Sequence, residues 1–329
     1  MKQQHGGRLH AACQTYGGTP EQWVDLSTGI APWAYPLPMV PESVWQRLPE
    51  TEDGLIDIAA HYYSVHPTEC LAIAGSQWAI EQIPYCYSDR LVVLMLANGY
   101  SEHPRAWRNA GHNVIEVSDI NELIAQSPNC DACVLIQPHN PLGFVLSEIQ
   151  LQQIKHNLRQ GIMVIDEAFA DSSPTPTLPL THNTWKLRSI GKFFGLAGIR
   201  LGFVLATHAQ IKQMNLRQSP WSVSHLARWA GKQALQDTPW QDEQRMRLKQ
   251  HSNRLSELLV ARGVNSINQT DYFVTITSEQ SQAWVESAAQ SQLLLRHLPA
   301  IHGIRFGLSA NEIQWNKLTE WLSRQKHHC

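Results

Sequence analysis

Seven short apolar runs rich in Val, Ile and Leu, at residues 71–74, 91–97, 113–117, 132–137, 162–166, 187–190 and 201–206, punctuate the middle of this 329-residue chain. A strand with one wet face alternates apolar and polar residues, whereas a strand covered by helices on both faces is apolar throughout. The stretches between the runs have helical patterning, at 77–86, at 101–110 before Gly111 and at 147–159 before Gly161. Ser opens and Gly closes the last of these, as helix ends require. The pattern predicts an α/β fold built on a large, doubly wound, mostly parallel sheet.

Beyond residue 207 the period changes. Long helical stretches at 222–236 and 240–262 precede strand-like 272–277, helix-like 279–290, strands at 292–296 and 304–308, and a final helix at 311–324. That order predicts a small α+β domain at the C-terminus. Residues 1–45 are rich in Gly and Pro and read as an extended N-terminal arm. The expected division is therefore an arm at 1–45, a large cofactor-binding domain at 46–207, and long helices with a small domain at 208–329.

Charge excludes some partners. Lys plus Arg number 26 against 28 Asp plus Glu, a net charge of −2, so no global basic field exists for nucleic acid or an anionic membrane. An anionic ligand must be met by a few local cations. The longest apolar run falls far short of the ~20 residues that cross a bilayer, and the first residues lack a signal-peptide core. Six irregularly spaced cysteines fit a reducing compartment, so a cytoplasmic protein is expected. Cys130-Asp131-Ala132-Cys133 leads into a strand and lacks a second pair, and the 16 histidines show no ligand spacing, so no metal is expected.

Four segments carry candidate chemistry. In 187–204, LRSIGKFFGLAGIRLGFV, a Gly-rich turn after a strand presents Lys192, flanked by Ser189 and Arg200. A lysine there is partly desolvated and nucleophilic toward an aldehyde, although alone it also reads as a surface lysine. In 162–169, IMVIDEAF, the strand ends in Asp166, where open α/β sheets bind ligands. That carboxylate fits a protonated ring nitrogen, and equally a helix cap or a metal shared with Glu167 and Asp171. In QPHNPLG, Asn140 is held rigid by Pro141, which simple turn chemistry also explains. Finally, Gly75-Ser76-Gln77 enters a helix with small residues that let backbone N–H groups approach a phosphate.

Taken in order, these motifs resemble the fold-type I pyridoxal-phosphate enzymes, in the aminotransferase class that includes histidinol-phosphate aminotransferase. The resemblance implies pyridoxal 5'-phosphate as cofactor, with its phosphate on Gly75, Ser76, Gln77, Ser189 and Arg200. It implies Tyr100 against the ring, Asn140 at the ring hydroxyl, Asp166 at the ring nitrogen and Lys192 in covalent linkage to the aldehyde. Lys192, Asp166 and Tyr100 are then the catalytic residues.

A narrower resemblance rests on His5-Gly6-Gly7, on VDLSTGIAP at 24–32, on Pro36-Leu37-Pro38, and on AGSQWAIEQIP and GYSEHPRAWRNAGH further on. These are similar to the threonine-phosphate decarboxylase branch used in cobalamin biosynthesis. The branch implies a homodimer acting on a small phosphorylated amino acid, with His5, Gly6, Thr28, Gly29, Asn140, Arg296 and Arg305 as substrate-binding residues. Arg305 matches the arginine that grips the carboxylate, and Arg296 one near the substrate phosphate. The implied reaction turns L-threonine O-3-phosphate into (R)-1-amino-2-propanol O-2-phosphate and CO2. The alternatives are a histidinol-phosphate-type aminotransferase and an inactive cofactor-binding assembly protein in corrin biosynthesis. Three positions depart from the family pattern: Leu48-Pro49 stands for Tyr-Pro, Asn98-Gly99-Tyr100 for Pro-Thr-aromatic, and Leu142 for Thr. The first removes a tyrosine that reaches the partner subunit's cofactor phosphate.

Overall fold

The protein is seen in a computed structural model that describes residues 6–264 and 267–325. These residues form two compact units. The larger takes Ala34–Asn140 and Val145–Asp242, and the smaller takes its described residues from Met1–Trp33, Pro141–Phe144 and Glu243–Cys329. The division differs from the expected boundaries, since residues 34–45 and 208–242 belong to the larger unit. Local packing explains this. Tyr35 donates its backbone N–H to Phe194 O at 2.8 Å, and its hydroxyl bonds Asp237 at 3.1 Å. Helix His225–Gln236 lies so close to Leu55 and Leu201 that a Cβ on Gly231 would stand 2.4 Å from Leu201 Cδ2.

All seven apolar runs are strands of one sheet in the larger unit. Its order is Cys70–Ile73, Gly202–Leu205, Thr184–Ser189, Ile162–Asp166, Ala132–Ile136, Val92–Leu96, Asn113–Val117. Every pairing is parallel except those of Gly202–Leu205, which runs antiparallel between its neighbours. The parallel strands therefore end, and the antiparallel one begins, at a single edge of the sheet. That edge receives the turns carrying Gly75, Tyr100, Asn140, Asp166, Lys192 and Arg200.

Helices cover both faces, as continuous strand hydrophobicity demands. On one, Trp107, Trp185, Leu187, Val164 and Ile80 share a buried cluster, each large side chain contributing roughly 1.5–3 kcal/mol of burial. On the other, helix Leu55–Tyr63 places Tyr63 against Phe203, ring centroids 5.4 Å apart. Helix Glu148–Asn157 starts on a Ser147–Gln150 capping box, which fixes its first turn. The short helix Ile120–Gln126, capped by Asp119, has too few turns to show a period in the sequence.

In the smaller unit a four-stranded antiparallel sheet has the order Arg296–Leu298, Gly303–Gly307, Phe273–Thr277, Ile267–Gln269. The strand expected at 292–296 is split: Leu293–Leu294 leaves this sheet to pair in parallel with Val24–Asp25. The N-terminal arm is not extended throughout. Residues Leu9–Tyr16 form a helix whose Leu9, Ala12 and Cys13, at positions i, i+3 and i+4, pack with Trp23 and Leu294.

Candidate active site

In the larger unit three neighbouring strand ends build a cradle. Ile73, Gly202 and Ser189 are register partners, so the turns after Ile73 and Ser189 and the turn before Gly202 meet. Gly75 has φ +78°, and a Cβ on it would stand 2.5 Å from Arg200 Nη2. Gly202 approaches Ser76 so closely that a Cβ would lie 2.7 Å from its backbone N. Gly75 and Gly202 thus let the Arg200 guanidinium and the Ser76 backbone N approach where any side chain would intrude, with Ser189 on the strand beside Gly202. Such a donor set fits a phosphate dianion.

Ser189 Oγ accepts from Gly191 N at 3.2 Å and starts the four-residue helix Ile190–Phe193, which carries Lys192. Lys192 is half-buried, with Nζ 5.3 Å from the centroid of the Phe169 ring. Asp166, at the end of the adjacent strand, is buried. One carboxylate oxygen accepts from Ala168 N at 3.1 Å, and the other lies 3.1 Å from His103 Nε2. A buried aspartate with a fixed imidazole and a fixed amide keeps its orientation for a cationic ring nitrogen.

Tyr100 donates to Gln77 Oε1 at 3.1 Å and sets its ring edge-on to His103, centroids 6.3 Å apart. Burial first, then Glu102 and Asp166, push its phenol up to about 12, so it remains a donor. Asn140 follows strand Ala132–Ile136 at the same edge, half-buried, next to the buried His139. His103 was not among the sequence candidates. Its signal was the three-residue step from Tyr100 into helix Glu102–Asn109, which turns both toward one side.

Glu167 and Asp171 turn to Arg188 and not to Asp166. Both pair with Arg188, Glu167 at 3.0 Å and Asp171 at 2.5 Å. Cys130 and Cys133 are buried, and burial pushes both thiols up, which disfavours the reactive thiolate and leaves them structural.

His139 makes a testable contribution to stability. Burial first, then His103, push its pKa down from 6.5 to about 3. The unfolded chain therefore takes up this proton first as pH falls. His139 contributes stability that is complete above 6.5 and lost between 6.5 and 3, by about 1.4 kcal/mol per pH unit. Melting temperatures measured from pH 7 to pH 4 should fall less steeply for His139→Gln than for the natural chain. Equal slopes would show that His139 does not titrate as its burial requires.

In the smaller unit, Arg305 is buried in strand Gly303–Gly307, directly opposite Arg296. Its Nη2 donates to Ser27 O at 2.6 Å, and its guanidinium lies over the Phe273 ring at 4.9 Å. Ser27 bonds Asp25 through both its N–H and hydroxyl, and its Oγ accepts from Gly7 N at 2.7 Å. Gly6 packs on Ser27, where a Cβ would meet the carbonyl at 2.3 Å, and Gly307 packs on Thr28. Gly6, Thr28, Gly29 and the two arginines are thereby gathered in this unit. Burial, then the neighbouring Arg296, lower the Arg305 pKa, a repulsion that an anion relieves. His5 lies outside the described residues.

The chain is 37% identical over 320 residues to a threonine-phosphate decarboxylase of Pseudomonas aeruginosa, covering 96% of both chains. It is 25% identical to histidinol-phosphate aminotransferase 2 of Idiomarina loihiensis, covering 80% of each. Among solved structures, histidinol-phosphate aminotransferase from Sinorhizobium meliloti in complex with pyridoxal-5'-phosphate superposes with a TM-score of 0.83 at 18% identity, covering 96% of this chain and 94% of that one. The fold is accordingly that of the fold-type I pyridoxal-phosphate enzymes. With residues 45–315 matching the family model described as aminotransferase class I and II, the chain belongs to that family.

Proposed function

We propose that this chain is a pyridoxal-phosphate-dependent decarboxylase of L-threonine O-3-phosphate, releasing CO2 and (R)-1-amino-2-propanol O-2-phosphate for cobalamin biosynthesis. The observation that carries this reading is the 37% identity along 96% of both chains with a threonine-phosphate decarboxylase, against 25% for the aminotransferase relative. The pair of arginines in the smaller unit supports an anionic substrate.

The cradle of Gly75, Ser76, Gln77, Ser189 and Arg200 holds the cofactor phosphate, Asn140 its ring hydroxyl, and Tyr100 lies against its ring. When bound, pyridoxal phosphate supplies an aldehyde for the substrate amine and a ring that draws electrons from Cα. Asp166 keeps a proton on the ring nitrogen, because its buried carboxylate, steadied by His103 and Ala168 N–H, is a fixed negative charge beside it. Lys192 would hold the cofactor through its amine and, with that amine free, would carry a proton to the substrate Cα. Arg305 holds the substrate carboxylate, its guanidinium oriented by Ser27 O, and Arg296, His5, Gly6, Thr28 and Gly29 take the substrate phosphate. Which bond at Cα breaks is set by how these groups orient the carboxylate.

We further infer a cytoplasmic homodimer. Trp45, Leu48 and Trp221 are each more than 60% exposed, and His225 Nδ1 bonding Arg47 O at 3.2 Å places them around the start of helix His225–Gln236. Three large apolar side chains there support burial by a second copy. Among the described residues five cysteines are free, and no helix is long and apolar enough to cross a membrane.

Substrate preference tests the assignment. Threonine phosphate should exceed threonine in kcat/KM by at least about 10²-fold, since a charged recognition group is left unpaired by the shorter substrate. Histidinol phosphate with 2-oxoglutarate should give no glutamate. Efficient glutamate formation would replace this reading by the aminotransferase.

A further inference from the structure

On the sheet face turned away from the cofactor cradle, Arg188 joins two strand ends from behind. Asp166 and Leu187 are register partners and share the face covered by helix Glu102–Asn109. The next residue on each strand, Glu167 and Arg188, therefore points to the opposite face. There Arg188 Nη1 donates to Glu167 Oε2 at 3.0 Å and Nη2 to Asp171 Oδ1 at 2.5 Å, with the guanidinium 4.8 Å from the Tyr63 ring centroid. Glu167 also accepts from the Thr177 hydroxyl, and its backbone N–H extends the strand pairing to Leu187 O at 2.9 Å. Lys186, two residues earlier on the same face and buried, feels the charge of Glu167.

We propose, on the reading of function above, that Arg188 with Glu167 and Asp171 is a positioning device that fixes Asp166 relative to Ser189 and Lys192. Glu167 is bonded directly to Asp166, while Arg188 immediately precedes Ser189 and lies four residues before Lys192. A planar fork holding a carboxylate on each arm resists both sliding and splaying of the two strand ends. Stability alone does not call for it, since a buried ion triad is commonly replaced by apolar residues without loss of stability. Burial opposes charge on Arg188, but Asp171 and Glu167 more than offset it and hold its pKa above the ordinary value.

The test compares the natural chain with the triple variant Glu167→Leu, Arg188→Met, Asp171→Leu, and with Arg188→Lys and Asp171→Asn. Amide hydrogen exchange at 189–192 in the cofactor-free protein and the Kd for pyridoxal phosphate by fluorescence are the readouts. A folded triple variant, its melting temperature near that of the natural chain, should exchange faster at 189–192 and bind the cofactor at least about tenfold more weakly, as expected for a slight misplacement. Arg188→Lys, which keeps a charge but loses the fork, should fall between. A triple variant with natural exchange and affinity overturns the proposal. Should that variant not fold, natural exchange and affinity in both Arg188→Lys and Asp171→Asn overturn it instead. If the natural chain does not bind pyridoxal phosphate, the functional reading fails, while the exchange comparison still decides whether the triad orders these strand ends.

Discussion

Lys192→Ala is expected to remove the visible absorbance band that borohydride abolishes in the cofactor-loaded protein, and to lower activity by on the order of 10⁴-fold or more. The amine serves as covalent anchor and as proton carrier, and alanine supplies neither. No other residue at the cradle offers an amine, because Arg200 has a guanidinium and Ser189 a hydroxyl. The fold should survive. Lys192 is half-buried on a four-residue helix whose cap is the Ser189 hydroxyl, so its truncation removes no core packing. Circular dichroism should be unchanged, with a stability change within about 1 kcal/mol. A retained borohydride-sensitive band would assign the linkage to another lysine.

Asp166→Asn should cost less than this but still about 10²- to 10³-fold in kcat, the loss typical of one preorganised charge acting on the reacting group. The amide keeps the size of the carboxylate but cannot stabilise a proton on the ring nitrogen. His103→Phe leaves that carboxylate in place and removes only the 3.1 Å contact that steadies it. Its effect on kcat should be smaller, and the double variant should cost little beyond Asp166→Asn, because His103 acts through Asp166. Additive losses would give His103 a role of its own.

Much of this was legible in the sequence. The strands Asn113–Val117 and Ile162–Asp166 match their expected runs residue for residue, and the second is buried along its whole length. Asp166, Asn140, Lys192 and Arg200 fall at one sheet edge, as the strand-then-turn pattern predicts. What the sequence left unread depends on tertiary pairing. The antiparallel insertion of Gly202–Leu205 between two strands is a matter of partner choice, and its apolar run looks like the others. Helix Leu9–Tyr16 is hidden among flanking glycines, and its apolar side becomes meaningful only against Trp23 and Leu294. Glu167 and Asp171 looked like spare carboxylates until the sheet brought Arg188 to them. Leu48, where the family often has tyrosine, is 61% exposed.

The central claim is that the carboxylate, and not the α-proton, leaves Cα. Incubating the cofactor-loaded protein with L-threonine O-3-phosphate in the absence of any keto acid, and measuring CO2 and amine products together, tests it most directly. The account predicts one CO2 and one 1-amino-2-propanol O-2-phosphate for each substrate consumed, over many turnovers. A stop after one turnover, with a phosphorylated keto acid formed and no CO2, would contradict it.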